Sequence, residues 1–266
     1  MEQTDLKNNV LSDNEFQDLW LNKLTEAQRI TRAKKAFVII RRLGEEHIAL
    51  FKKHEKSNSD KDINFLYFTN SLNGLWENVD FVLALGKRKN RKYAFYPTRN
   101  VLETVFRLEH FTRQKKEGQN NIAIREVLRI AKRLFDQEVA EGGNGEEFKK
   151  TYDWFANGHT FPKIEVAKSN DDPFPPMKNL ITASKMEGGD KWYIHYQWLA
   201  ELTHGKLMLS IIANQDERAE YRRCLMYLTP LCIEALKIAD FHLGNVTKDK
   251  VTRAIKEAEA IVKKTL

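Results

Sequence analysis

Apolar positions recur every three or four residues along most of the chain, the spacing of helices that bury one face. The clearest stretch follows Thr25. Thr25-x-x-Gln28 reads as a capping box, in which two side chains satisfy the free N–H groups of a helix start. Ile30, Ala33, Phe37, Ile40, Leu43 and Phe51 then share one face of a helix running to about His54. Ser12-x-x-Glu15 has the same starting pattern. After a polar break at 56–61, the spacing predicts a helix from Ile63 to Leu85, with Leu72, Leu75, Trp76, Val79 and Leu83 inward. Pro97 suits the first turn of the next helix, which reaches about Lys116. Further helices are predicted at 121–140, 146–156, 190–213, 216–242 and 247–264. Pro230 should kink the 216–242 helix, because it removes a donor and crowds the preceding turn. Strand patterns are nearly absent. The fold expected is an all-α bundle of about eight helices, a single domain over 1–266 with residues 1–12 flexible.

Breaker residues change this picture in one place. Four of the six prolines (Pro162, Pro173, Pro175 and Pro176), with Gly158, Gly188 and Gly189, fall between 158 and 189. That stretch reads as a long loop or lid holding one short helix near 177–184.

Composition sets outer limits. The chain has 266 residues, 42% hydrophobic and 11% aromatic, enough for a packed core. No apolar run approaches the roughly 18 residues of a membrane span. The start of the chain is polar and acidic without an apolar signal region, so a cytoplasmic location is expected, with no membrane partner. Cys224 and Cys232, eight apart on one helix, stand about 12 Å apart, too far to pair. They read as core thiols.

The formal charge is +7, and it is clustered. Nine basic residues lie between Arg29 and Lys56. Lys87, Arg88, Lys89, Arg91 and Lys92 follow in a second run, just before Tyr93, Phe95 and Tyr96. Cations interleaved with rings suit single-stranded nucleic acid, so these five residues are the expected contacts for RNA or another nucleic acid. An acidic protein partner could use the same patch, and a homodimer is compatible with it.

Two helices carry the candidate chemistry. On the helix from Pro97, Arg99, Glu103 and His110 line up beside the apolar stripe formed by Val101, Leu102, Val105 and Leu108. The 191–210 helix is apolar nearly all round and should therefore be central. His204 sits there in a row with Tyr193, Tyr196, Ala200, Leu207 and Ile211, and Glu201 lies one turn before it. A buried imidazole or carboxylate needs partners. Arg99, Glu103, Tyr196, Glu201 and His204 are therefore expected to meet in one polar pocket.

Arg99-x-x-x-Glu103 and Tyr196-x-x-Leu199-Ala200-Glu201-x-x-His204 resemble an uncharacterised all-helical bacterial family, which has Arg-x3-Glu on one helix and Tyr-x2-Leu-Ser-Glu-x2-His on a later one. Six positions match, and Ala200 replaces the usual serine. The resemblance implies an all-α fold and a shared polar pocket, and brings no activity with it. More distantly, Arg42 and His47 have the spacing of the Arg-x4-6-His motif of HEPN-type ribonucleases, with Leu43 where that motif has a polar residue.

Three chemistries follow. Glu201-x-x-His204 has metal-ligand spacing but no second copy, so no metal or cofactor is assigned. The main reading is a ligand- or partner-binding regulatory module. The alternative is a HEPN-like, metal-independent ribonuclease of a toxin or phage-defence type, with His204 as acid–base, Arg99 as anion holder and Glu103 and Glu201 as orienters.

Overall fold

The computed structural model describes residues 25–57, 63–86, 91–146, 149–150, 172–203 and 217–263. Among them are eight α-helices, one 3-10 turn and no strand: the all-α bundle that the periodicity predicts. The helices are α1 (Glu26–Ser57), α2 (Ile63–Leu85), α3 (Phe95–Arg113), α4 (Lys116–Ala140), α5 (Met177–Ala183), α6 (Lys191–Thr203), α7 (Glu217–His242) and α8 (Lys248–Lys263). The 3-10 turn, Arg91–Ala94, leads into α3. Residues 1–12 and the Ser12–Glu15 pattern lie outside the described residues, as does most of the expected 146–156 helix.

Local chemistry explains the boundaries. Thr25 and Gln28 form the capping box, with Thr25 N–H donating to Gln28 Oε1 at 2.9 Å and Gln28 N–H to Thr25 Oγ1 at 3.3 Å. α3 stops at Arg113 rather than continuing to Lys116, because Gln114 and Lys115 are extended (ψ 150 and 160). No glycine or proline marks that break, so α4 begins five residues before its predicted start. α7 runs from Glu217 to His242 with Pro230 inside it.

Buried side chains from all eight helices form one connected core, built on Trp76, Tyr221, Phe37, Phe51, Phe68, Phe106 and Phe111. α3 is central and packs on α2, α4, α5, α6 and α7. α1 packs on α7 and α8. Gly44 lets α1 approach α2 closely: a Cβ there would lie 2.5 Å from Cε2 of Trp76. Leu83 is half-buried, and Val82 takes the inward position beside it.

One expectation of placement changes, and one open reading is resolved. The described part of the 190–213 helix is not central. α6 packs on α3 and α5, buries only Trp192, Leu199 and Leu202, and leaves Ile194 64% exposed. Its tyrosines and histidine are amphipathic bodies that rest half-buried, so an aromatic-rich helix does not need a core position. Arg42 and His47 also separate. Arg42 is exposed, whereas His47 is fully buried under the turn between α7 and α8. Thr247 Oγ1 donates to Asp240 Oδ1 at 2.6 Å, so His47 Nε2 must donate to Thr247 Oγ1, also at 2.6 Å. Thr247 N–H donates to the same carboxylate oxygen at 2.7 Å. Burial depresses the His47 pKa, against the pull of Asp240. His47 is therefore a neutral core histidine that fastens α8 to α1.

The described part of the 158–189 stretch packs over α3. Glu109 holds it, accepting from Ser184 Oγ at 2.5 Å and from Lys185 N–H at 2.9 Å, with Arg113 on the same carboxylate. Upstream, Asp172 pairs with Arg107 at 2.7 Å and buried Phe174 packs against that guanidinium.

Candidate functional site

α3 presents Arg99 and Glu103 one turn apart, facing α6. Arg99 Nε donates to Glu103 Oε1 at 2.8 Å, Nη1 to Thr203 Oγ1 at 2.5 Å and Nη2 to Tyr196 OH at 3.4 Å. The guanidinium also lies over the Tyr196 ring, 5.4 Å from its centroid. Tyr96 OH donates to the Thr203 carbonyl at 3.4 Å, so α3 grips Thr203 of α6 at two points. Burial works against the Arg99 charge, but Glu103 and Tyr196 outweigh it and the pKa stands raised. Such an arrangement pins one helix to another, with the cation neutralised in place.

Three of the five expected pocket residues, Arg99, Glu103 and Tyr196, thus converge. Glu201 does not lie in the buried contact: its side chain is exposed, because α6 turns Leu199 and Leu202 inward instead. His204 lies outside the described residues, although its neighbour Thr203 bonds to Arg99. Lys87, Arg88 and Lys89 also lie outside them, and so do the side chains of Arg91 and Lys92. Of the aromatics that follow, Tyr93 and Tyr96 are each 45% exposed and Phe95 is buried. His110, three turns along α3 from Arg99, packs its ring edge on Phe174, and burial lowers its pKa. No group of three or more metal-ligating side chains occurs among the described residues, and none of their helices is long and apolar enough to cross a membrane.

Glu103 has a second role. It lines a groove of about 580 Å³ between α2, α3 and α4. α2 contributes Tyr67, Asn70, Ser71, Gly74 and Asn78, and α3 adds Asn100, Thr104 and Arg107. α4 closes the far side with Glu126, Val127 and Ile130. Asn78 Nδ2 donates to the Gly74 carbonyl at 2.7 Å, and Asn100 Nδ2 to Asn78 Oδ1 at 3.3 Å, joining α2 to α3 along the wall. Glu126 takes both Nε and Nη2 of Arg129, at 2.8 and 2.6 Å. Burial pushes the Tyr67 hydroxyl pKa well up, so it stays protonated.

Gly74 is unlike the other glycines that face a neighbouring element. Gly44 and Gly86 are small because Trp76 and Tyr221 occupy the space a side chain would need. Among the described residues, a Cβ on Gly74 meets nothing within 4 Å. A glycine inside a helix costs about 1 kcal/mol relative to alanine, and packing gives no return for it here. Sequence reasoning missed this wall: Asn70, Ser71, Gly74 and Asn78 share one side of α2, but Thr69, Asn73, Glu77 and Asp80 are polar too, so the pattern does not single them out. Thr203 and Tyr96 were missed because only the packing of α6 on α3 gives them partners.

No family model, curated protein or solved structure matches this chain. The likeness to an all-helical bacterial family therefore rests on the six positions quoted above.

Proposed function

We propose that this protein is a ligand-binding regulatory module whose site is the α2–α3–α4 groove, with Glu103 linking that groove to the Arg99 clamp on α6. The observation that carries the reading is Gly74: a helix-interior glycine with no packing role bares the groove wall. The volume of about 580 Å³ suits a small molecule, and the lining mixes an apolar floor with a few convergent polar groups. Because Glu103 both lines the groove and holds Arg99, a ligand drawing on that carboxylate would loosen or tighten the hold on Tyr196 and Thr203. A fragment screen read by backbone amide shifts tests this. Hits should move the signals of Asn78, Asn100 and Thr104 and should vanish in Gly74→Leu, whose side chain starts from an open Cβ position and projects into the groove. Hits that shift other regions, or survive Gly74→Leu, would refute it.

The bond from Arg99 to Thr203, the residue before His204, supports a second reading, metal-independent RNA cleavage by Arg99 and His204. That reading requires EDTA-resistant ribonuclease activity that is lost in both Arg99→Ala and His204→Ala. Equal activity in the wild type and the variants would rule it out.

A further inference from the structure

We infer that the groove takes a small monocarboxylic acid with an apolar body, which closes on both Nε and Nη2 of Arg107 and displaces Asp172 from it; this rests on the ligand-binding reading above.

A half-used guanidinium points to the ligand. Nε and Nη2 lie on one edge of an arginine and together match the two oxygens of a carboxylate. Arg129 spends both on Glu126, at 2.8 and 2.6 Å. Arg41 spends both on Asp80, at 3.0 Å each. Arg107 stands in the groove wall and gives Asp172 only its Nη2, at 2.7 Å. Its Nε is buried and finds no hydrogen-bond partner among the described residues. A buried donor without a partner is rare in native structures and calls for a reason.

Asp172 supplies the reason. It divides its oxygens: Oδ2 takes Arg107, while Oδ1 accepts from Phe174 N–H at 3.0 Å. The carboxylate is thus turned toward its own backbone and meets the arginine with one oxygen. The buried Phe174 ring lies against the same guanidinium, 5.1 Å from its centroid to Cζ. The stretch from Asp172 to Lys185 is therefore a strap. Glu109 fastens one end through Ser184 and Lys185, and the other end covers the guanidinium and half-pairs it. The Asp172 side chain is 46% exposed, so it returns to water at little cost when a better-fitting carboxylate takes its place.

Charge balance fixes the class. Arg107 is the only cation among the described residues that line the groove, and Glu103 and Glu126 line it too. Those two carboxylates keep Arg99 and Arg129 as partners. Exchanging Asp172 for another singly charged carboxylate leaves this balance as it was. A dianion, such as a phosphate monoester, brings a second negative charge beside Glu103 and Glu126 with no further cation to meet it. Leu66, Val127 and Ile130 line the same groove, so an apolar body behind the carboxylate loses contact with water there.

The test uses the full-length protein at fixed ionic strength, with calorimetry and backbone amide shifts as readouts. The probes are hexanoate and benzoate, each against the primary amide and the phosphate monoester of the same body: hexanamide and pentyl phosphate, benzamide and phenyl phosphate. At least one acid should bind and shift the amides of Thr104, Asp172 and Phe174. Its amide and its phosphate should each bind at least tenfold more weakly. Arg107→Lys keeps the charge but loses the paired donors, and should weaken the acid at least tenfold. Asp172→Asn removes the competing charge at an exposed position, so the fold is kept, and should tighten the acid at least threefold. An amide or phosphate that binds as tightly as its acid overturns the proposal. So does an Asp172→Asn variant whose affinity is unchanged or lower. If neither acid binds while neutral or cationic fragments shift Asn78, Asn100 and Thr104, the ligand class is wrong and the groove remains a binding site. If no fragment of any charge shifts them, the functional reading itself fails.

Discussion

The two glycines on α1 and α2 offer a sharp test of which features serve the fold. Gly74→Ala adds a methyl group where nothing among the described residues lies within 4 Å. The only changes are a gain in helix propensity and a loss of freedom in the unfolded chain, together worth about 1 kcal/mol of stabilisation. For a chain of this size that raises the midpoint of thermal unfolding by about 2 °C. Gly44→Ala makes the same chemical change in a filled space, 2.5 Å from Cε2 of Trp76. The indole is buried and cannot yield into solvent. It also carries the Arg41 guanidinium 5.6 Å from its ring centroid, and Arg41 in turn pairs with Asp80 at 3.0 Å, so a shift of the ring disturbs that link as well. Overpacking costs about 1–3 kcal/mol, and a displaced cation–ring contact adds about 0.5–1 kcal/mol. Set against the same propensity gain, the net effect is a destabilisation of about 0.5–3 kcal/mol. Urea unfolding of both variants should therefore show midpoints moving in opposite directions. If the two move together, or if Gly74→Ala destabilises, the wall at Gly74 is serving the fold, and the argument from an unneeded glycine collapses.

Other outcomes follow from the buried groups. His47 has a depressed pKa in the folded protein, so its contribution to stability is complete above its ordinary value of about 6.5 and declines as pH falls below that toward the folded pKa. Stability against urea should drop between pH 7.5 and 5. His47→Gln, which keeps a donor for Thr247, should flatten that slope, and an unchanged slope would remove His47 as its source. Thr247→Val strands a buried imidazole N–H and takes one bond from the Asp240 carboxylate. It should cost about 1–3 kcal/mol, while Thr247→Ser, which keeps the hydroxyl, stays near wild type; a Thr247→Val variant as stable as the wild type would show that the hydroxyl bonds contribute nothing. Cys224 and Cys232 are both buried, and burial pushes the Cys232 thiol well up. A thiol reagent should label neither until the protein unfolds, and stoichiometric labelling within seconds would contradict the packing.

What the sequence determined by itself was local. Period-three-to-four spacing located α2, and Thr25 with Gln28 announced the start of α1, because both signals depend only on neighbours within one or two turns. His47 stands at helical spacing from Ile40 and Phe51, and it is buried with them. Arg99 and Glu103, one turn apart, were legible for that reason too. Tertiary structure decided everything that depends on which surfaces meet. It placed α6 on the outside despite its apolar composition, because half-buried rings of Tyr193, Tyr196 and Trp198 satisfy a flank as well as a centre. It turned Glu201 to solvent and brought Thr203 to Arg99 instead. It ended α3 at two extended residues that carry no breaker chemistry. Above all, it opened a groove beside Gly74 and crowded the space beside Gly44, although a glycine carries no side chain from which either neighbourhood could be read.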